Sequence, residues 1–170
     1  MEYLDLYDEN KKLTGKKILR NKKGYNLEKG TYINIVVVYI ENNEGKFLIQ
    51  KTSKEKGSIW ATTGGHVKSG QTCDESIIEE IKEELGIYIN INELKHIMID
   101  KREFAFQDVY YLKKDINVND LTLQNEEVEF VKWLSVEEIN KLIDNDEFRI
   151  GNIKSFKYLL DNKENICKKN

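Results

Sequence analysis

The sequence has no proline, only two cysteines and only two histidines in 170 residues. The missing proline, set beside much Lys, Asn and Ile, reads as a bias of genome composition and carries no functional signal. Cys73 and Cys167 stand far apart, without metal-ligand or redox spacing. That argues against a disulfide framework and makes a reducing, cytoplasmic setting the default expectation. Positive charge is not in excess: the formal net charge is −3. Non-specific binding of a nucleic-acid polymer needs a basic surface and is not expected. No long hydrophobic run is present. The strongly apolar stretch Ile35 to Ile40 is far too short to span a bilayer, so no membrane partner is expected. The start, Met1-Glu2-Tyr3-Leu4-Asp5, is acidic and lacks the apolar centre of a signal peptide.

The chain does have a length suited to one ordinary domain and a hydrophobic fraction of 39%, enough to bury a core. Tyr3 to Tyr7 and Lys16 to Arg20 read as short strands about an Asp8-Glu9-Asn10 turn, and Lys22 to Lys29 as a loop. Thr31 to Ile40 is β-branched and aromatic, the pattern of a buried central strand. Lys46 to Lys51 follows the Asn42-Asn43-Glu44-Gly45 turn as its hairpin partner. Residues 72 to 85 form the clearest helix: Thr72 with Glu75 fits a capping box, and Gly86 fits a stop. Strands are expected over Leu94 to Lys101, Glu103 to Leu112 and Val128 to Leu134. Helices are expected over Val136 to Ile143 and Asn152 to Asn162, with a frayed Lys-rich end. The fold class is α/β (α+β): a mixed β-sheet sandwiched between helices. One domain is expected over residues 1–170, with 1–30 as an N-terminal β extension.

The chemistry concentrates in Gly64-Gly65-His66-Val67-Lys68-Ser69-Gly70-Gln71 and the helix after it. Ile77, Ile78, Ile81 and Leu85 form one apolar stripe. Glu80, Glu83 and Glu84, at i, i+3 and i+4, share the other face. Six acids against Lys82 leave this helix at −5. Such carboxylates repel, and a hard divalent cation converts the repulsion into coordination. Mg²⁺ takes few protein carboxylates, keeps waters and bridges to phosphate oxygens. The simpler reading of an acidic helix face is a solvated surface.

The pattern is longer than the helix. Gly65, Gln71, Glu79-Glu80-Ile81, Glu83-Glu84 and Gly86-Ile87 resemble the Nudix box, G-x5-E-x7-R-E-U-x-E-E-x-G-U, where U is a bulky aliphatic residue. Seven of the nine defined positions agree. The resemblance implies the Nudix fold and a hydrolase acting on a small-molecule diphosphate, as monomer or homodimer. It implies Mg²⁺, with Mn²⁺ as an alternative, held by Glu80, Glu83, Glu84 and the Gly65 carbonyl. Glu80 or Glu83 is the expected base, with Glu127 from a later loop as a further catalytic acid, and Glu126 and Asp108 behind it. The two departures, Gln71 for Glu and Glu79 for Arg, replace a pair that braces loop against helix in the family. A Gln71 amide donating to Glu79 can substitute for that salt bridge.

Segments around the box, among them Glu2 to Glu9, Arg20, Lys29-Gly30-Thr31-Tyr32, Trp60 and Trp133-Leu134-Ser135, resemble isopentenyl-diphosphate-isomerase-like Nudix proteins. Isomerase is therefore the rival reading. Against it, Gly64 stands where that resemblance implies a cysteine, and Phe106-Gln107-Asp108 stands in place of its Glu-x-Glu pair. A non-catalytic, nucleotide-binding Nudix domain is the third reading. Substrate contacts are expected from His66, Lys51 and Arg102. A solvated loop is the simpler account of Lys51, Lys54, Lys56 and Arg102. Core packing is the simpler account of Phe104, Phe106, Tyr110, Tyr111, Trp133 and Cys73.

Overall fold

The computed structural model describes residues 1–21 and 24–168; Lys22 and Lys23 of the expected loop, and the last two residues of the Lys-rich end, lie outside them. Strand β1 (Tyr3–Tyr7) pairs antiparallel with β2 (Leu13–Leu19) as a separate hairpin. The main sheet is built from β3 (Ile33–Glu41), β4 (Phe47–Thr52), β5 (Trp60–Ala61), β6 (Thr63–His66), β7 (Leu94–Lys101), β8 (Ala105–Lys113) and β9 (Val128–Leu134). Helices α1 (Cys73–Leu85), α2 (Val136–Asp144) and α3 (Ile150–Lys168) complete the chain.

Strand β3 is nearly all apolar because both its faces are covered. Val36, Val38 and Ile40 pack with Ile77, Ile81 and Leu85 of α1 on one side. Val37 and Tyr39 pack with Ile139 of α2 and Phe156 and Leu159 of α3 on the other. The expected mixed sheet between helical layers is thus observed: β3 runs parallel to β8, while its other pairings are antiparallel. The hairpin β1–β2 closes a third, smaller cluster of Leu4, Leu6 and Ile33.

The sheet is split. β3 and β4 share a single rung, Glu41 opposite Phe47, and then part. Beyond it, β3 pairs with β6 and β8, and β4 pairs with β5 and β9. The rung is anchored by the Glu41 carboxylate, 1% exposed, which accepts from Tyr111 Oη at 2.7 Å and pairs with Lys163. The gap left between the strands positions the site.

Two expectations change. Gly64 and Gly65, glycines that the sequence assigned to no strand, lie in β6. A Cβ at Gly64 would overlap the Val36 carbonyl, so glycine is what lets this strand lie against β3. Helix α3 extends to Lys168 instead of fraying after Asn162, because Leu159, Leu160 and Ile166 continue its apolar face against the core.

Candidate active site

Helix α1 forms where the sequence places it. Thr72 Oγ1 accepts from the Glu75 amide, the Glu75 side chain caps the Thr72 amide, and Gly86 ends the helix at φ 70°. A cavity of about 300 Å³ opens in the split sheet beside it. Glu80, Glu83, Glu84, Gly65, His66, Arg102 and Glu127 all line it, so most of the expected site residues are brought together.

Glu84 is 5% exposed. Its carboxylate accepts from Gln50 Nε2 at 3.1 Å, and Gln50 Oε1 accepts in turn from Thr63 Oγ1 at 3.1 Å. Burial, then the neighbouring Glu80, push the Glu84 pKa up to about 8. Burial, then Glu83, push Glu80 up to about 7. Glu80 lies flush on the backbone of β6: a Cβ at Gly65 would occupy the position of its carboxylate. Glu83 is more exposed and faces Lys68 Nζ at 3.5 Å. Two desolvated carboxylates whose pKa values stay raised despite nearby Arg20, Lys68 and Arg149 have a strong electrostatic reason to take up a cation. Among the described residues, however, no three acidic, His or Cys groups already form a chelating cluster. The donor chemistry fits Mg²⁺, with Glu83 drawn toward Lys68 as the side chains stand.

The loop–helix brace has the predicted replacement. Gln71 Nε2 donates to Glu79 Oε2 at 2.6 Å, Lys68 Nζ donates to the same oxygen at 2.9 Å, and the Lys68 amide donates to Gln71 Oε1. These bonds hold the Glu79 pKa below the usual range. The N-terminal hairpin adds a second clamp, which the sequence did not reveal: Asp5 accepts from Ser69 Oγ and the Gly70 amide.

Glu127 is carried on the loop before β9. That loop is tied to the end of α1 by the Thr122 amide donating to the Leu85 carbonyl and the Gln124 amide to the Glu84 carbonyl. Glu127 pairs with Lys56 Nζ at 2.7 Å. Burial lowers the His66 pKa to about 4, helped by Arg20 and Lys56, so the ring is neutral near pH 7. Tyr25 meets it edge-on.

Several expectations are corrected. Lys51 does not line the cavity: Gln50 and Thr52 do, and strand alternation turns Lys51 outward, where its ammonium lies 5.4 Å over the Trp60 ring. Arg102 reaches the cavity wall, but its guanidinium is tied to Asp100, Gln107 and the Gly151 carbonyl. Asp108 is engaged elsewhere, by Lys11 and by His96 Nε2 at 2.8 Å, and Glu126 is exposed outside the cavity. Cys73, as expected of a packing residue, lies against the core and outside the wall; burial raises its thiol to about 12. Sequence reasoning missed Glu2 and Gln50 of this wall, Arg149, and Arg20 as a group at the site. Their local sequence carries no signal, since only tertiary packing brings them to the box.

The fold and this acidic, glycine-backed helix define one class, and comparison with known proteins agrees: the NUDIX domain family matches residues 31–156. The chain belongs to that family. It is 35% identical over 152 residues to an uncharacterised Nudix hydrolase of Listeria monocytogenes, covering 87% of this chain and 88% of that protein. It is 30% identical over 129 residues to the nucleoside triphosphatase NudI of an Enterobacter species, covering 68% and 91%. The crystal structure of DR0079 from Deinococcus radiodurans shares the fold, with a TM-score of 0.76 at 23% identity, covering 91% and 96%. The chain is a Nudix hydrolase, an enzyme of phosphorus-containing acid anhydrides. No helix among the described residues is long and apolar enough to cross a membrane.

Proposed function

We propose that the chain is a Mg²⁺-dependent hydrolase, with Mn²⁺ able to substitute, that cleaves a diphosphate linkage in a nucleoside diphosphate derivative or similar compound by water attack on phosphorus. The observation that carries this reading is the pair Glu80 and Glu84, desolvated in one cavity with both pKa values raised. Glu80, Glu83, Glu84 and Gly65 would hold the ion. Bound there, a divalent cation neutralises charge on phosphoryl oxygens and acidifies a water. The chain supplies the rest. Gln50 fixes Glu84. Glu80, Glu83 and Glu127 are the carboxylates available to take the water's proton. Neutral His66 offers a hydrogen bond to substrate without adding charge. The nucleoside triphosphatase relatives favour a nucleotide substrate, and free Cys73 and Cys167 fit a cytoplasmic setting.

The test is a panel of nucleoside diphosphates and triphosphates, nucleotide sugars and dinucleotides, with Mg²⁺, Mn²⁺ or chelator. Phosphate or nucleoside monophosphate is expected only with metal. Glu83→Gln and Glu84→Gln are expected to lower turnover on the order of 100-fold. Wild-type turnover in either variant, or turnover indifferent to chelator, contradicts the assignment.

A further inference from the structure

Five cationic side chains line the cavity: Arg20, Lys56, Lys68, Arg102 and Arg149. Four are engaged. Arg20 pairs with Glu2, Lys56 with Glu127, Lys68 with Glu79 and Glu83, and Arg102 with Asp100 and the Gly151 carbonyl. The side chain of Arg149 has no hydrogen bond or ion pair among the described residues. Arg149 is an exposed residue at the cavity mouth, where the carboxylates of Glu84 and Glu127 attract its guanidinium.

Its backbone is held firmly. The Arg149 amide donates to the Trp60 carbonyl at 2.8 Å, the Trp60 amide donates to the Glu147 carbonyl, and the Asn152 amide donates to the Arg149 carbonyl. Phe148 beside it is 2% exposed and forms an isolated bridge with Trp60. The base of this side chain is therefore fixed at the start of α3, while its guanidinium lines the cavity on the solvent side without a protein partner among the described residues. A planar guanidinium matches two phosphate oxygens at once.

We propose that Arg149 binds a second phosphoryl group of the substrate, next to the one that a metal at Glu80, Glu83 and Glu84 would take. This assigns the selectivity for a diphosphate over a monophosphate to Arg149. It rests on the hydrolase reading for the identity of the ligand, but it is a statement about binding and can be tested without turnover.

The probes are methylenediphosphonate, which cannot be hydrolysed, and orthophosphate. Each is titrated by calorimetry with Mg²⁺ into the wild-type protein, Arg149→Gln and Arg149→Lys. Wild type is expected to prefer the diphosphonate. Arg149→Gln should lose about 10- to 100-fold of that affinity with orthophosphate affinity unchanged, and Arg149→Lys should recover part of it. Mn²⁺ affinity without ligand, and the thermal midpoint, check that each variant keeps its fold and metal site. Diphosphonate affinity in Arg149→Gln within twofold of wild type overturns the proposal, as does a wild type with no preference between probes. If the preference and its loss are observed but wild type hydrolyses no diphosphate, the hydrolase reading fails and the assignment of Arg149 stands.

Discussion

Gly64 and Gly65 are neighbours with different obligations. A side chain at Gly64 would meet backbone, the Val36 carbonyl and Val37 Cα, which cannot move without shifting β3. A side chain at Gly65 would meet first the carboxylate end of Glu80, which can rotate away. Gly64→Ala is therefore expected to cost about 2–4 kcal/mol of stability by overpacking, read as a lower thermal midpoint. Gly65→Ala is expected to leave the midpoint nearly unchanged and to lower turnover at least about 10-fold, because displacing the Glu80 carboxylate would disturb the proposed metal site and misplace the reacting groups. Equal thermal midpoints in the two variants would refute this division. Their side-by-side repetition in sequence gives no hint of it. Only the pairing of β6 with β3 separates a glycine that admits a strand from one that admits a carboxylate.

At the scale of elements, α1 and its loop form a unit braced by Lys68, Gln71 and Glu79. Gln71→Glu puts a second carboxylate against Glu79 and is expected to lower stability by about 0.5–1 kcal/mol. Combined with Glu79→Arg it should regain most of that loss, because an opposite-charge pair replaces the repulsion. A double-mutant cycle measured by thermal melting gives the coupling energy; a coupling of zero would show that the two side chains do not brace each other. This helix was legible in the sequence because its signals are local: a cap, a stop and one apolar stripe. β4, β7, β9 and α2 were legible for the same reason. β6 was not, since Thr63 to His66 holds two glycines and little β-propensity, and its strand exists through hydrogen bonds to β3. The end of α3 was not, because Lys and Asn mask an apolar face that the core selects. Lys51 was misplaced for want of the strand's facing, one residue from Gln50, which does reach the site.

For the whole molecule, the site's buried charges tie stability to pH. Glu84 and Glu80 have folded pKa values raised to about 8 and about 7 from an ordinary 4.5. The metal-free fold binds these protons more tightly than the unfolded chain. Their contribution is complete below about pH 4.5 and is lost as pH rises through 7 to 8. His66, lowered to about 4 from 6.5, acts in the opposite sense: its neutral ring favours the fold above pH 6.5, and that contribution is lost as pH falls toward 4. Without metal, stability is expected to peak in mildly acid solution and to fall toward about pH 8 by on the order of a few kcal/mol. Saturating Mg²⁺ should raise the thermal midpoint most at that alkaline end, since ligand binding stabilises by mass action. Midpoints recorded across this range with chelator and with Mg²⁺ decide it; a flat chelator profile contradicts the assignment. Most of the acidic half of the site was readable in advance, because one helix carries it. Of the basic half only Arg102 was, because Arg20 and Arg149 come from opposite ends of the chain. What joins the halves is a sheet whose strands β3 and β4 meet at one rung and then part. Past that rung no ladder bond joins β3 to β4 among the described residues, so the bore of the opening is set by side chains such as Thr52 and Gln107. Lineages can therefore exchange those residues and acquire new substrates while the scaffold's backbone bonding, and with it the capacity to fold, passes on unaltered.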